Sequence, residues 1–231
     1  MRLMLKLSGE ALAGEKKTGF DESECRRVAE QVKRLHEAGH ETGIVIGGGN
    51  FWRGRTGNEI ARVKSDQIGM LATVMNCIYV SEIFRSCGLE TAVFTPFAVG
   101  TFTRPFAIDE VNKALADGTV VFFAGGTGHP YFSTDTGVVL RAVEIGAEVL
   151  LLAKAIDGVY DADPAVKKDA KRYDTLTMDE VIANNLQVVD LTASVLARDN
   201  KIEMRVFALQ EEDSIVRAAG GTFNGTTVTV G

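Results

Sequence analysis

Arg2-Leu3-Met4-Leu5-Lys6-Leu7-Ser8-Gly9-Glu10 runs from an apolar stretch, broken by one lysine, straight into a glycine turn. Because residues 3–7 are apolar at consecutive rather than alternate positions, they read as a strand covered on both faces, as in a parallel sheet. Similar runs recur at 42–46, 91–94, 120–124 and 148–153 between helix-like segments, and this alternation marks βαβ units. The expected fold is α/β, a three-layer α/β/α sandwich around a mainly parallel sheet.

Between the strands, residues 21–38 read as a helix with Asp21 as N-cap and Gly39 as its stop, and residues 65–87 as a longer one ended by Gly88. Residues 68–80 are apolar on most sides, so they must be buried, either in a core or against another subunit. They fall well short of the roughly 20 residues that span a bilayer. No linker, repeat or low-complexity stretch divides the chain, and residues 162–172 are the nearest thing to a polar, mobile insertion. One domain over residues 1–231 is expected, with ligands in the crevice beyond the carboxyl ends of the strands.

Composition agrees, with 45% hydrophobic residues, 24 Gly and 4 Pro among 231 residues. A net charge of -6 and a pI near 5.2 provide no field for nucleic acid or a membrane surface. The N-terminus lacks a signal-peptide pattern. Cys25, Cys77 and Cys87 are odd in number and form no CxxC pair, which argues against a disulfide framework or a zinc site and for a reducing, cytoplasmic setting.

Three strand ends run into glycine turns: Ser8-Gly9, Gly47-Gly48-Gly49-Asn50 and Gly125-Gly126-Thr127-Gly128. Without a Cβ, such turns let backbone N–H groups close on phosphate oxygens. Three on one edge of a sheet point to phosphate binding, although any one alone is a plain tight turn. Neither GxxxxGK[ST] nor a GxGxxG opening a helix is present, so a P-loop kinase and a Rossmann dehydrogenase lose their main support. Lys6 interrupts a strand that is otherwise apolar, and a buried ammonium is costly unless paired. At the strand's carboxyl end, its partner would be a phosphoryl group in transfer. The alternative is a lysine that snorkels to solvent.

Taken together, Lys6-Leu-Ser-Gly-Glu-Ala-Leu12 and Ile46-Gly-Gly-Gly-Asn-Phe-Trp-Arg53-Gly54 resemble the amino-acid kinase family. The segments Asp66-Gln-Ile-Gly-Met-Leu-Ala-Thr-Val-Met-Asn76, Thr127-Gly-His-Pro-Tyr-Phe-Ser-Thr-Asp135 and Val189-Asp-Leu-Thr-Ala-Ser-Val-Leu-Ala-Arg-Asp-Asn200 are similar to its bacterial branch that phosphorylates UMP. The resemblance runs from about Arg2 to the C-terminus.

That resemblance implies transfer of the γ-phosphoryl of ATP to UMP with Mg²⁺, an N-terminal acceptor lobe and a C-terminal ATP lobe. Lys6, Asp135 and Asp190 would be catalytic, the two acids orienting the lysine or the magnesium, which is held mainly through ATP phosphates. Lys6, Leu7, Ser8, Gly9, Gly49, Arg53, Lys154, Tyr160 and Asp163 would meet ATP, with Tyr160 near adenine and Asp163 near ribose. Gly48, Arg53, Asp66, Thr127, Gly128, His129, Pro130, Tyr131, Phe132, Ser133 and Thr134 would meet UMP, with Asp66 on the ribose. The residues alone leave plainer roles open: a surface arginine for Arg53, a helix N-terminal acid for Asp66, a helix cap for Asp135 and a loop acid for Asp190. Ala155 stands where the family often has lysine, with Lys154 one place earlier. Residues 14–20 occupy the place of a GTP-sensing segment, and the resemblance implies GTP and UTP effectors and a homohexamer.

Two rivals share parts of this pattern. Another amino-acid kinase, acting on carbamate, an acyl-amino acid or isopentenyl phosphate, would keep Lys6 and the glycine turns but would call for cations where this chain offers Asp66 and hydroxyls. A non-catalytic oxyanion storage or sensing protein of the same fold would be richer in histidine than the three present.

Overall fold

The computed structural model describes residues 1–53 and 60–231. In β1 (Arg2–Leu7), Leu3, Leu5 and Leu7 turn to one face of the sheet and Met4 to the other, all without exposure. Lys6 shares the Met4 face and is the partly exposed break in the pattern. The chain continues through α1 (Gly9–Ala13), a single 3-10 turn at Gly14–Lys16, α2 (Glu22–Glu37), β2 (Glu41–Ile46), α3 (Arg62–Ser86), β3 (Thr91–Thr95), β4 (Arg104–Pro105), α4 (Ile108–Ala116) and β5 (Val120–Phe123). The second half comprises α5 (Thr134–Glu144), β6 (Val149–Lys154), β7 (Val159–Tyr160), β8 (Arg172–Tyr173), β9 (Thr175–Thr177), α6 (Met178–Ala183), α7 (Leu191–Asp199), β10 (Glu203–Ala208), α8 (Ser214–Ala219) and β11 (Gly225–Thr229).

Among the described residues, nine strands pair in the order β4-β3-β5-β2-β1-β6-β10-β11-β9. Every neighbour is parallel except β10 and β11. Helices α2, α3 and α8 bury their apolar sides with Leu3, Leu5, Ile44, Phe122 and Leu151 on one face. Helices α4, α5 and α7 do so with Met4, Val45, Phe94, Val121 and Leu150 on the other. This is the expected three-layer sandwich. β7 and β8 form a separate antiparallel ladder, so the polar stretch 162–172 is closed at its far end by Arg172.

Local signals account for the helix ends. Asp21 caps α2 by accepting from the amides of Ser23 and Glu24, and Gly39 beyond it takes φ 81°. The long helix begins at Arg62 rather than near residue 65, which places Asp66 a full turn inside it. With 25 residues, α3 is long and apolar enough to cross a bilayer by length and composition, unlike the shorter stretch read from sequence. Ala72, Val74, Cys77, Val80 and Phe84 are nevertheless buried in the sandwich, which makes it a core helix. Ile68, Leu71, Met75 and Ile78 remain exposed along its other side, so core packing leaves part of its apolar surface open.

β10 carries Glu203 and Arg205 and does not look like a buried strand in sequence. Arg205 donates to the carbonyls of Ala218 and Ala219 at 2.8 and 2.9 Å, closing the C-terminal end of α8 with a cation.

Candidate active site

The carboxyl ends of β1, β2 and β5 open into a cleft of about 410 Å³. Lys6, Ser8, Gly9 and Glu10 line it from the first turn, and Gly47, Gly48, Gly49 and Trp52 from the second. Gly126, Thr127, His129, Phe132, Ser133, Thr134 and Asp135 come from the third turn and the start of α5, and Arg62, Ser65, Asp66, Gly69, Met70 and Thr73 from α3. The three glycine turns read from sequence therefore converge, because parallel strands deliver their carboxyl ends to one edge.

Lys6 Nζ lies 2.8 Å from Asp135 Oδ1, with the two side chains 15% and 25% exposed. Lys6 points to the α5 side of the sheet, and Asp135 occupies the first turn of that helix. The cap of α5 is Ser133, whose Oγ accepts from the Thr136 amide at 3.1 Å, so the reading of Asp135 as a helix cap is corrected. Asp190 is also more than a loop acid. It caps α7 by accepting from the Ala193 amide at 3.0 Å. It further accepts from Ser133 Oγ and, at 3.1 Å to each oxygen, from Thr136 Oγ1. This carboxylate thus ties the N-terminus of α7 to that of α5 and stands behind the cleft lining.

Lys154 ends β6 and donates to the Val188 carbonyl. Burial pushes its ammonium below the usual lysine range and the Lys6 charge adds to this, while Asp135 opposes both. Lys154 thus lies near both members of the Lys6–Asp135 pair, although it does not line the cleft.

Two of the glycines are sterically required. A Cβ on Gly9 would come under 3.0 Å from Asn50 Oδ1 and Gly47 O, and one on Gly48 under 3.0 Å from Gly69 O on α3. Leu7, assigned to ATP by resemblance, is fully buried in the core, leaving only its backbone for a ligand. Arg53 pairs with Glu10 at 2.7 Å. Gly54, the last residue of the quoted glycine phrase, lies outside the described residues.

Asp66 is bound on both oxygens by Arg62 Nε at 2.9 and 2.8 Å, and its Oδ2 accepts from the Tyr131 amide at 2.7 Å. Tyr131 adopts φ 73°, a strained conformation for a non-glycine residue, and its ring receives the Arg62 guanidinium at 5.3 Å. Asp66 thus fastens the third turn to α3 while facing the cleft. Gly128 and Pro130 lie in that turn behind the lining residues, and His129 is exposed with its amide on Thr127 Oγ1 at 3.3 Å. Arg62, Trp52, Ser65 and Thr73 escaped the sequence reading. The spacing of Arg62, Ser65 and Thr73 on α3 is a signal only once that helix is known to wall the cleft, and Trp52 reaches it from the second turn, where its Nε1 donates to Ser65 Oγ at 3.0 Å.

Tyr160 and Asp163 are separate from this cleft. Tyr160 donates to Asp157 Oδ1 at 2.7 Å, and Arg172 donates to Asp157 Oδ2 at 2.6 Å and Asn224 Oδ1 at 2.6 Å. Asp163 accepts from the Ala165 amide at 2.9 Å in the following turn.

Among the described residues no group of three or more His, Cys, Asp or Glu side chains is gathered for a metal. The donor set, Asp135 with Asp190 behind it, fits Mg²⁺ that arrives on nucleotide phosphates, since this ion takes one or two carboxylates and keeps water and phosphate as its other ligands.

A sequence model of the amino acid kinase family matches residues 1–208. The UMP kinase from Bacillus anthracis is similar in structure with a TM-score of 0.95 and 34% identity, over 99% of this chain and 96% of that one. The UMP kinase from Ureaplasma parvum has a TM-score of 0.94 and 30% identity, over 99% and 98% of the two chains.

Proposed function

The chain belongs to the amino-acid kinase family, and we propose that it is a nucleoside monophosphate kinase that moves the γ-phosphoryl of ATP onto UMP, giving UDP and ADP. The observation that carries the reading is the Lys6–Asp135 pair at 2.8 Å, set where three glycine turns meet in a chain whose similar structures are UMP kinases over nearly its whole length.

An acceptor phosphate oxygen is already an ionised nucleophile, so no general base is needed and catalysis rests on position and positive charge. Lys6, held in direction by Asp135, neutralises charge on the phosphoryl group in transfer. The amides of Ser8, Gly9 and Gly49 receive ATP phosphates, and Gly48 with Thr127 to Thr134 receives UMP. Arg53 exchanges Glu10 for phosphate, for which its planar fork is suited. Asp66 offers its carboxylate to the ribose while bracing the third turn. Asp190 acts through Ser133 and Thr136 by fixing the start of α5. Tyr160 and Asp163 take the nucleoside of ATP in a C-terminal lobe, opposite an N-terminal acceptor lobe. When bound, Mg²⁺ would neutralise charge on the ATP phosphates, and Asp135 is the carboxylate that would hold it.

The exposed stripe of α3 supports assembly of several copies, read here as a hexamer in the cytoplasm. Residues 14–20 are read as an effector segment for GTP, with UTP opposing. Thr18 Oγ1 donates to the Asn50 carbonyl at 3.0 Å, joining this segment to the second glycine turn.

The test is ADP release from ATP and Mg²⁺ with UMP, CMP, dUMP, carbamate and N-acetylglutamate offered separately. Selective turnover of UMP is expected. Turnover of a carboxylate or carbamate instead would overturn the roles given to Asp66 and Thr127 to Thr134, and silence with every acceptor would favour the storage protein.

A further inference from the structure

Two buried amides tie the second glycine turn to α3 and pack against Gly9 of the first. Asn76 in the middle of α3 has no exposure, and Asn50 beside Gly49 has 3%. Asn50 Nδ2 donates to Asn76 Oδ1 at 3.0 Å, and Asn76 Nδ2 donates back to Asn50 Oδ1 at 2.8 Å. Each NH₂ group spends its other proton on a main-chain carbonyl, Asn76 on Gly47 at 2.7 Å and Asn50 on Gly19 at 2.8 Å. Asn50 Oδ1 and Gly47 O press against the bare Cα of Gly9, so the β1 turn rests directly on the pair. All four amide protons and both oxygens have partners. That leaves one orientation for each side chain and meets the condition under which a buried polar network is rigid rather than costly.

We propose that Asn50 and Asn76 are positioning residues for phosphoryl transfer, a reciprocal amide clamp that sets the distance between the turn carrying Gly9 and the turn carrying Gly47. This rests on the reading above, in which the first turn meets ATP phosphates and the second turn stands between the substrates, with Gly49 on ATP and Gly48 on UMP. Neither amide lines the cleft, and both are buried with their donors and acceptors already engaged within the fold. Phosphoryl transfer leaves little covalent chemistry for the protein to perform and depends on alignment, and a misplacement of about 1 Å can cost about 10²-fold in rate. Each turn keeps its own N–H donors when the clamp is cut. Loss of the pair therefore spares the binding of each phosphate and damages their alignment, so that kcat falls and the two KM values stay.

The experiment compares the parent with Asn76→Asp, which matches the amide in shape but turns a carboxylate oxygen toward the Gly47 carbonyl, and with Asn50→Leu and the double variant Asn50→Leu/Asn76→Leu. Readouts are kcat and KM for ATP and UMP, and hydrogen exchange at residues 8–9 and 47–49. The expected result is a kcat lowered about 10²-fold with both KM values within about threefold. Faster exchange at both turns together and a double variant little worse than Asn50→Leu are also expected, since two members of one unit are non-additive. Parent-like kcat, a rise in one KM alone, or faster exchange at one turn only would overturn the clamp. If Asn76→Asp does not fold, Asn50→Ser, which leaves room for a water in place of the amide, takes its place with the same criteria. A parent silent toward UMP would overturn the proposed substrate, while the exchange pattern would still decide whether the turns are clamped.

Discussion

Lys6 and Asp135 meet at 2.8 Å although 128 positions separate them in the chain, because β1 lies directly beneath α5. The pair explains how a lysine sits in a strand whose neighbours have no exposure. Its charge is matched from the helix above, and its ammonium is held at the mouth of the cleft.

Lys6→Met removes the charge and keeps most of the stem, so turnover should fall by about 10² to 10³-fold, the range for deleting one preorganised transition-state donor. Lys6→Arg should restore little, since the broad guanidinium fork differs in shape from the compact ammonium. ADP release measured at saturating ATP and UMP checks both, and near-parent turnover in Lys6→Met would remove Lys6 from the chemistry.

Lys154 carries an ammonium that burial has pushed below its ordinary value of 10.5. The unfolded chain therefore binds this proton more tightly than the folded one. The resulting penalty is full below the folded pKa and is relieved as pH rises through it toward 10.5. Relative to Lys154→Met, the parent should gain stability between neutral pH and pH 10, as read by urea unfolding of the two proteins side by side. A difference in stability that does not change with pH would show that the folded ammonium is not disfavoured.

Asp157 joins the Tyr160 hydroxyl to Arg172 and so anchors the β7–β8 hairpin. Burial works to raise its pKa, but the Tyr160 hydrogen bond and the Arg172 charge outweigh burial and hold it below 3.8. The stability it contributes is present above that value and is lost as pH falls through the lower folded value. Asp157→Asn should flatten this acid-side loss and, with Tyr160 released, raise KM for ATP by about tenfold, one charge-assisted hydrogen bond's worth, with little change in kcat. An unchanged KM for ATP would detach Tyr160 from the nucleoside.

Leu71 and Met75, exposed by 52% and 48%, lie on the open side of α3. Leu71→Asp should convert an assembly to smaller species in sedimentation velocity while moving Tm little, because a half-exposed side chain adds little to the core of one copy. A parent that sediments as a monomer would leave this apolar stripe without a partner.

Much of this was legible from residues 3–10, 46–53 and 127–135. Continuous apolar runs disclose strands buried on both faces, and glycines at their ends disclose where backbone must come close to something. The strands β9, β10 and β11 were harder. Arg205 looks wrong for a sandwich core until α8 brings two open carbonyls to it, and a three-residue strand such as β9 has too few residues to show a period. Asp66 resembled a helix-starting acid because Arg62, a turn earlier, only becomes its partner once that turn is helical.

The sequence by itself determined the layers and the edge on which the glycine turns gather, since hydrophobic periodicity and glycine placement act within a few residues of themselves. Tertiary structure alone decided the partners: Lys6 with Asp135, Asp190 with Ser133, and Asn50 with Asn76. Each pair joins groups from different elements, and a buried hydrogen bond or ion pair depends on distance in space. That distance is set by how α3, α5 and α7 lie against the sheet.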